Sequence, residues 1–202
     1  MSAPYDLTDA VAVVTGASRG LGRAVAETLH AAGAHVYGLA RSEDDLRALA
    51  DALGERFHGR ACDVTDRASV DDVFSRIHGE AGRLDVLVNN AGLGRFAEID
   101  ALGDDDWHVQ IDTNLTGLYY CTRAAVPHMK AQRTARGAGA LGGQIANIAS
   151  VAGLVGNPKI SAYNATKFGV RGFSEALMKE LRPHGIRVSC FYPGSIDTHF
   201  FE

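Results

Sequence analysis

A chain of 202 residues with 46% hydrophobic composition has the size of one domain and enough apolar side chains for a single core, so neither disulfides nor a structural metal is needed to hold it. A net charge of -4 gives no electrostatic ground for a nucleic-acid or anionic-membrane partner, and no segment approaches the ~18 continuous apolar residues of a membrane span. Cys62, Cys121 and Cys190 are odd in number and far apart, which fits reduced, mostly buried thiols and no disulfide framework. No His or Cys spacing matches a zinc pattern, and no metal site is expected. The first ten residues hold neither an apolar run nor a basic leader, so the expectation is a soluble, cytoplasmic protein.

Short strand-like runs alternate with longer helical ones, the pattern of an α/β fold with a doubly wound parallel sheet in one domain spanning 1–202. Residues 10–15 (AVAVVT) form a compact apolar run, as a strand buried on both faces should. A helix is expected over 20–32, with Leu21, Val25 and Leu29 four apart and Gly33 as its stop. A strand over 35–40, a helix over 43–53, a weaker strand over 56–62, a helix over 69–81 and a strand over 84–88 follow. One long helix is then predicted from about Asp105 to Gln132, with Asp104 as N-cap and Leu115, Leu118, Thr122, Ala125 and Met129 at helical spacing. The acidic trio Asp104–Asp106 reads as helix-start chemistry. Residues 144–149 and 186–192 are the last two strands, flanking a helix over 162–181. That helix carries a stripe of small residues, Ala165, Gly169, Gly172 and Ala176, which permits close approach of another backbone.

In such a sheet the site lies outside the carboxyl ends of the strands, where strand order reverses. The turn TGASRGLG, from Thr15 to Gly22, sits between the first strand and the first helix. Glycines let a backbone approach a pyrophosphate, and the helix start offers free N–H groups and positive potential. A plain tight βα turn is the alternative. The second strand ends on Ala40 and Arg41, with no acid to hold a ribose 2′-hydroxyl. Arg41 and Arg19 suit a 2′-phosphate instead, which points to NADP(H) over NAD(H), unless both are simply solvated.

Tyr163 and Lys167 lie four apart at the start of a helix and so share a face. A phenol with a reference pKa near ~10 exchanges protons poorly at neutral pH, and a nearby ammonium is expected to lower that value. Tyr-x-x-x-Lys alone is common by chance. Ser150 ends a strand thirteen residues earlier and could reach the same space.

TGASRGLG, NNAG (89–92), Asn114 in DTNLTG, NIASVAG (147–153), YNATK (163–167) and PGSIDT (193–198) occur together in one order. In this the chain resembles the short-chain dehydrogenase/reductase family, in particular its NADP-preferring ketoreductases and 3-oxoacyl-carrier-protein reductases. The resemblance implies a Rossmann fold and an NADP(H)-dependent oxidoreductase acting on a carbonyl or secondary alcohol. It implies a tetrad: Tyr163 as general acid/base, Ser150 on the substrate oxygen, Lys167 on the nicotinamide ribose, and Asn114 holding a relay water. It further implies that Gly16, Ser18, Arg19, Gly20, Leu21, Gly22 and Arg41 bind the phosphate end and that Asp63 and Val64 meet the adenine. Asn90, Ala91 and Gly92 would line the channel, and Pro193, Gly194, Ile196 and Thr198 would grip the nicotinamide. Asp63 also reads as a turn residue, Asn89–Asn90 as a strand-end turn, and Asn114 taken alone as a structural helix residue.

Relatives continue past the position of Glu202 through a substrate-covering segment, a helix and a seventh strand, so the expectation is six visible strands with the last strand and helix missing. Leu93, Phe96, Val151, Leu154, Ile160 and Ser195 are the pocket candidates, with no charged residue aimed inward, which suggests an uncharged, partly apolar carbonyl substrate. By the same resemblance, the helices over 105–132 and 162–181 would pair across a two-fold axis in a homodimer or homotetramer. A rival reading is an NADP-binding redox sensor or scaffold without turnover.

Overall fold

A computed structural model describes residues 6–137 and 139–196. Six strands, β1 (Val11–Thr15), β2 (His35–Ala40), β3 (Phe57–Ala61), β4 (Val86–Asn89), β5 (Gly143–Ile148) and β6 (Ile186–Phe191), form one parallel sheet in the order β3-β2-β1-β4-β5-β6. Order reverses between β1 and β4, so their carboxyl ends open the crevice that a doubly wound sheet offers a ligand. The Rossmann architecture predicted from the alternating runs is the one observed.

Burial on both faces explains why β1 reads as an unbroken apolar run. Along β1, Val11 and Val13 enter the core on one face of the sheet, while Ala12 and Val14 enter the other. The first face is covered by α3 (Arg67–Ala81) and α5 (Gly117–Arg136), through Val70, Phe74, Ile77, Cys121, Ala125 and Met129. The second is covered by α1 (Gly20–Ala31) and α2 (Glu43–Leu53), through Ala26, Leu46 and Leu49. α6 (Ser161–Leu181) buries Val170, Leu177 and Leu181. Of the small-residue stripe, Ala165, Gly172 and Ala176 are exposed, while Gly169 packs against Leu115, where a Cβ would come within 3.0 Å of its side chain. Asp85 joins the starts of two central strands. Its Oδ2 accepts the Val11 N–H at 2.9 Å, while Arg83 and Arg136 donate to the same carboxylate.

One predicted element is three. The expected long helix is broken into α4 (Asp104–Ile111), a π-helical turn (Asp112–Thr116) and α5. The side-chain spacing stays close to helical through the wide turn, so periodicity alone does not register the change. Asp104 is not the N-cap. Gly103 takes that place without a side-chain bond, and Asp104–Asp106 fill the first turn, where their charge favours the helix dipole.

Candidate active site

Thr15, the last residue of β1, knots the crevice together. Its Oγ1 accepts the N–H groups of Asn90 and Ala91 at 3.0 and 2.9 Å, binding the end of β1 to the end of β4. Asn90 answers by donating Nδ2 to the carbonyl of Thr15 at 2.9 Å and of Gly16 at 3.3 Å. The glycine-rich turn is thereby held open in a shape only glycine allows. Gly16 stands at φ 66, and a Cβ there would come within 3.0 Å of the Ala91 Cα. A Cβ on Gly22 would run into the Gly16 carbonyl. α1 then starts with no side-chain cap and no acid in its first turn, so its free N–H groups face the crevice uncompensated.

A cavity of about 900 Å³ runs from this turn along the carboxyl ends of the strands to α6. The phosphate-end residues (Gly16, Ser18, Arg19, Gly20, Leu21, Gly22, Arg41), Asp63 with Val64, the 90–92 segment and Pro193, Gly194 and Ile196 all line it. Thr198 lies outside the described residues. Arg19 and Arg41 are exposed and enter no ion pair among the described residues, so both guanidinium groups are free for a ligand. Asp63 already uses its Oδ1 to accept from the Thr65 N–H and hydroxyl at 2.9 and 2.8 Å, the turn role seen as its alternative. A glycine cradle, an uncapped helix start and two unpaired arginines in one long crevice fit a dinucleotide.

Ser150, Tyr163 and Lys167 meet at the far end of the same cavity. The Ser150 Oγ accepts the Ala152 N–H at 3.1 Å, which sets its side chain at the mouth of the loop after β5. Burial raises the Tyr163 phenol above its usual range, and a hydrogen bond from Ser150 opposes that shift. Lys167 lies with Nζ 5.5 Å from the Tyr163 ring centre and donates to the Ile148 carbonyl at 2.9 Å. Burial depresses it to about 8. Lys167 is not among the groups that shift the phenol, whose largest influence is burial. The ammonium points at a backbone carbonyl, and desolvation dominates both groups.

Asn114 is buried in the π-helical turn and does not line the cavity. Its amide clamps Leu93, accepting from the N–H and donating to the carbonyl at 2.8 Å each, and also donates to the Thr166 hydroxyl at 3.2 Å. Both side-chain atoms are thus engaged within the protein. Gly92 keeps the route past it clear, since a Cβ there would stand 3.1 Å from Asn114 Oδ1 and 3.7 Å from Lys167 Nζ.

At the substrate end, Leu93, Phe96, Val151, Ile160 and Ser195 line the cavity as predicted, and Leu154 does not. Phe96 meets Tyr163 edge-on, with ring centres 5.9 Å apart. Arg95 lines this end, its Nε 3.6 Å from an Asp106 carboxylate oxygen, and its backbone N–H donates to the buried Gln110 at 3.1 Å. Thr113 and Asn157 also line the cavity, and sequence reasoning passed over all three. Arg95 stands three residues after NNAG, a signal that could have found it.

Comparison with known proteins agrees with this geometry. The sequence pattern of the family described as short chain dehydrogenase matches residues 10–202. The chain belongs to that family. It is similar to the 3-oxoacyl-acyl-carrier-protein reductase FabG of Escherichia coli, with 42% identity over 188 residues, covering 93% of this chain and 74% of the relative. Against the Vibrio harveyi reductase of the same name the identity is 40% over 193 residues, covering 96% and 76%. A crystal structure of a short-chain dehydrogenase from Streptomyces avermitilis superposes with a TM-score of 0.87 at 35% identity, covering 95% of this chain and 69% of that one. Membership makes the chain an oxidoreductase acting on a small molecule by hydride transfer and implies a nicotinamide cofactor. No helix among the described residues is long and apolar enough to cross a membrane.

Proposed function

We propose that the protein is an NADP(H)-dependent reductase of a carbonyl compound, with Tyr163 as its general acid. The observation that carries this reading is the convergence of Ser150, Tyr163 and Lys167 on one cavity whose other end is the glycine-rich turn with Arg19 and Arg41. Bound nicotinamide supplies the hydride. The chain's own part is orientation and proton transfer. Ser150 hydrogen-bonds the carbonyl oxygen and fixes its direction, and Tyr163 donates the proton as the oxygen becomes an alkoxide. Lys167 would hold the cofactor's ribose, and its ammonium, 5.5 Å from the Tyr163 ring centre, would bring positive charge to the phenol and oppose the effect of burial.

Arg19 and Arg41 favour a 2′-phosphate, because planar guanidinium donors without competing acids suit that dianion. The proposal extends to a cytoplasmic location and a homodimer or homotetramer through the outer faces of α5 and α6, where Tyr119 and Phe168 stand exposed. Retention of both Tyr163 and Lys167 speaks for turnover over a sensing role.

A panel of ketones, diketones and acyl thioesters, followed at the nicotinamide absorbance, tests the reading. Turnover with NADPH well above that with NADH is expected, with Arg41→Asp reversing much of the difference. Tight NADPH binding without turnover of any compound would favour the redox sensor.

A further inference from the structure

Asn164 follows Tyr163 directly in α6, and the reaction just described makes no use of it. It is buried, and its amide is spent entirely on the loop 151–160. Oδ1 accepts the Asn157 N–H at 3.0 Å, while Nδ2 donates to the carbonyls of Ala152 at 2.7 Å and Val155 at 3.0 Å. That loop joins Ser150 to the first turn of α6 and gives Val151, Asn157 and Ile160 to the cavity.

Hydrophobic packing holds this loop only at its start. Ala152 and Gly153 are buried, and a Cβ on Gly153 would come within 2.7 Å of the Lys167 carbonyl. Residues 154–159 are all exposed, including Leu154 at 43% and Val155 at 62%, so the apolar side chains there anchor nothing. At the far end the Lys159 carbonyl accepts the Ala97 N–H at 2.9 Å. Lys159 itself sits at φ 67, a left-handed conformation that a lysine keeps when its surroundings impose it. Between those ends, the amide of Asn164 reaches the loop at three points.

We propose that Asn164 is a positioning residue: it fixes the loop wall of the substrate pocket relative to Tyr163 and so sets affinity and selectivity for the carbonyl compound without touching it. Residues 163 and 164 are successive positions on one helix, about 100° apart, so one side chain faces the cavity while the other reaches under the loop. Loosening that link moves the wall with respect to the proton donor and leaves the Gly16–Gly22 turn, at the other end of the cavity, in place. The kinetic part of this inference rests on the proposed carbonyl reduction. The clasp itself does not.

The test uses the full chain and three substitutions. Asn164→Ala is expected to raise KM for the best ketone by roughly tenfold, in line with the sensitivity of bound geometry to small displacements. It should also narrow the discrimination between compact and bulky ketones, while the Kd for NADPH stays within about twofold of the parent. Asn164→Asp keeps the acceptor for Asn157 but turns a carboxylate toward two carbonyls. Its KM should recover as the pH falls and the acid gains an O–H donor, relative to the parent protein at each pH. Asn164→Ser, a milder change, serves if the alanine variant does not fold. Amide exchange of Asn157 adds a readout independent of turnover: slow in the parent and faster in the alanine and serine variants. An unchanged KM and selectivity would overturn the proposal, as would equal loss of NADPH affinity or an Asn157 amide that exchanges freely in the parent. A parent protein that reduces no ketone yet protects Asn157 would contradict the proposed reaction and leave the clasp standing.

Discussion

Lys167 shows how much the site costs the fold. Its ammonium is buried, and burial depresses it to about 8, from 10.5 in an unfolded chain. Between those values the unfolded chain takes up a proton that the folded chain refuses, so stability falls as pH drops from 10.5 toward 8 and the penalty is complete below that. Lys167→Met keeps the stem and removes the charge. Its Tm relative to the parent should therefore improve as pH falls through this window, measured without cofactor, while turnover drops by at least about 100-fold. A relative Tm that is flat across the window would contradict this. Tyr163 and Lys167 were legible from their spacing, because side chains four apart on a helix share a face. The direction of their shifts was not, since it depends first on how deeply the fold buries each group.

Among the elements, the strands were recovered to within two residues; burial on both faces leaves a plain apolar run in β1, whereas β3, β5 and β6 carry polar residues and stand out by their place between helical segments. The π-helical turn was missed for the opposite reason: it alters backbone pairing without disturbing side-chain spacing much. Its effect on the site is direct. It delivers Asn114 to clamp Leu93 and starts α5 with Gly117, where a Cβ would stand 2.8 Å from Val64 Cγ2. Val64 lines the cavity, so Gly117→Ala should push it inward. The expected cost is about 1–3 kcal/mol of overpacking, offset by up to about 1 kcal/mol of helix propensity, together with weaker NADPH binding. Denaturant unfolding and a cofactor titration check both parts, and unchanged values would mean that Val64 yields freely. Asn157 and Asn164 went unread because contacts between a loop and a helix that meet only in three dimensions assign their roles. Nothing in the local pattern around Asn164 says that three backbone groups of a preceding loop end on its amide.

For the whole molecule, the reversal of strand order puts the glycine-rich turn, Lys167 and Tyr163 along one crevice at one edge of the sheet. The parallel sheet and its two cores explain why a single layer of strand ends can hold both halves of the reaction. In the proposed reaction Tyr163 supplies the proton, while the glycine-rich turn that cradles the cofactor is built at the other end of the cavity. Tyr163→Phe leaves the ring and its packing on Phe96 and removes only the hydroxyl. Steady-state ketone reduction with NADPH, measured beside NADPH binding, tests that separation. The predicted result is turnover reduced by at least about 100-fold with the Kd for NADPH unchanged; a variant that reduces the ketone at the parental rate would contradict it.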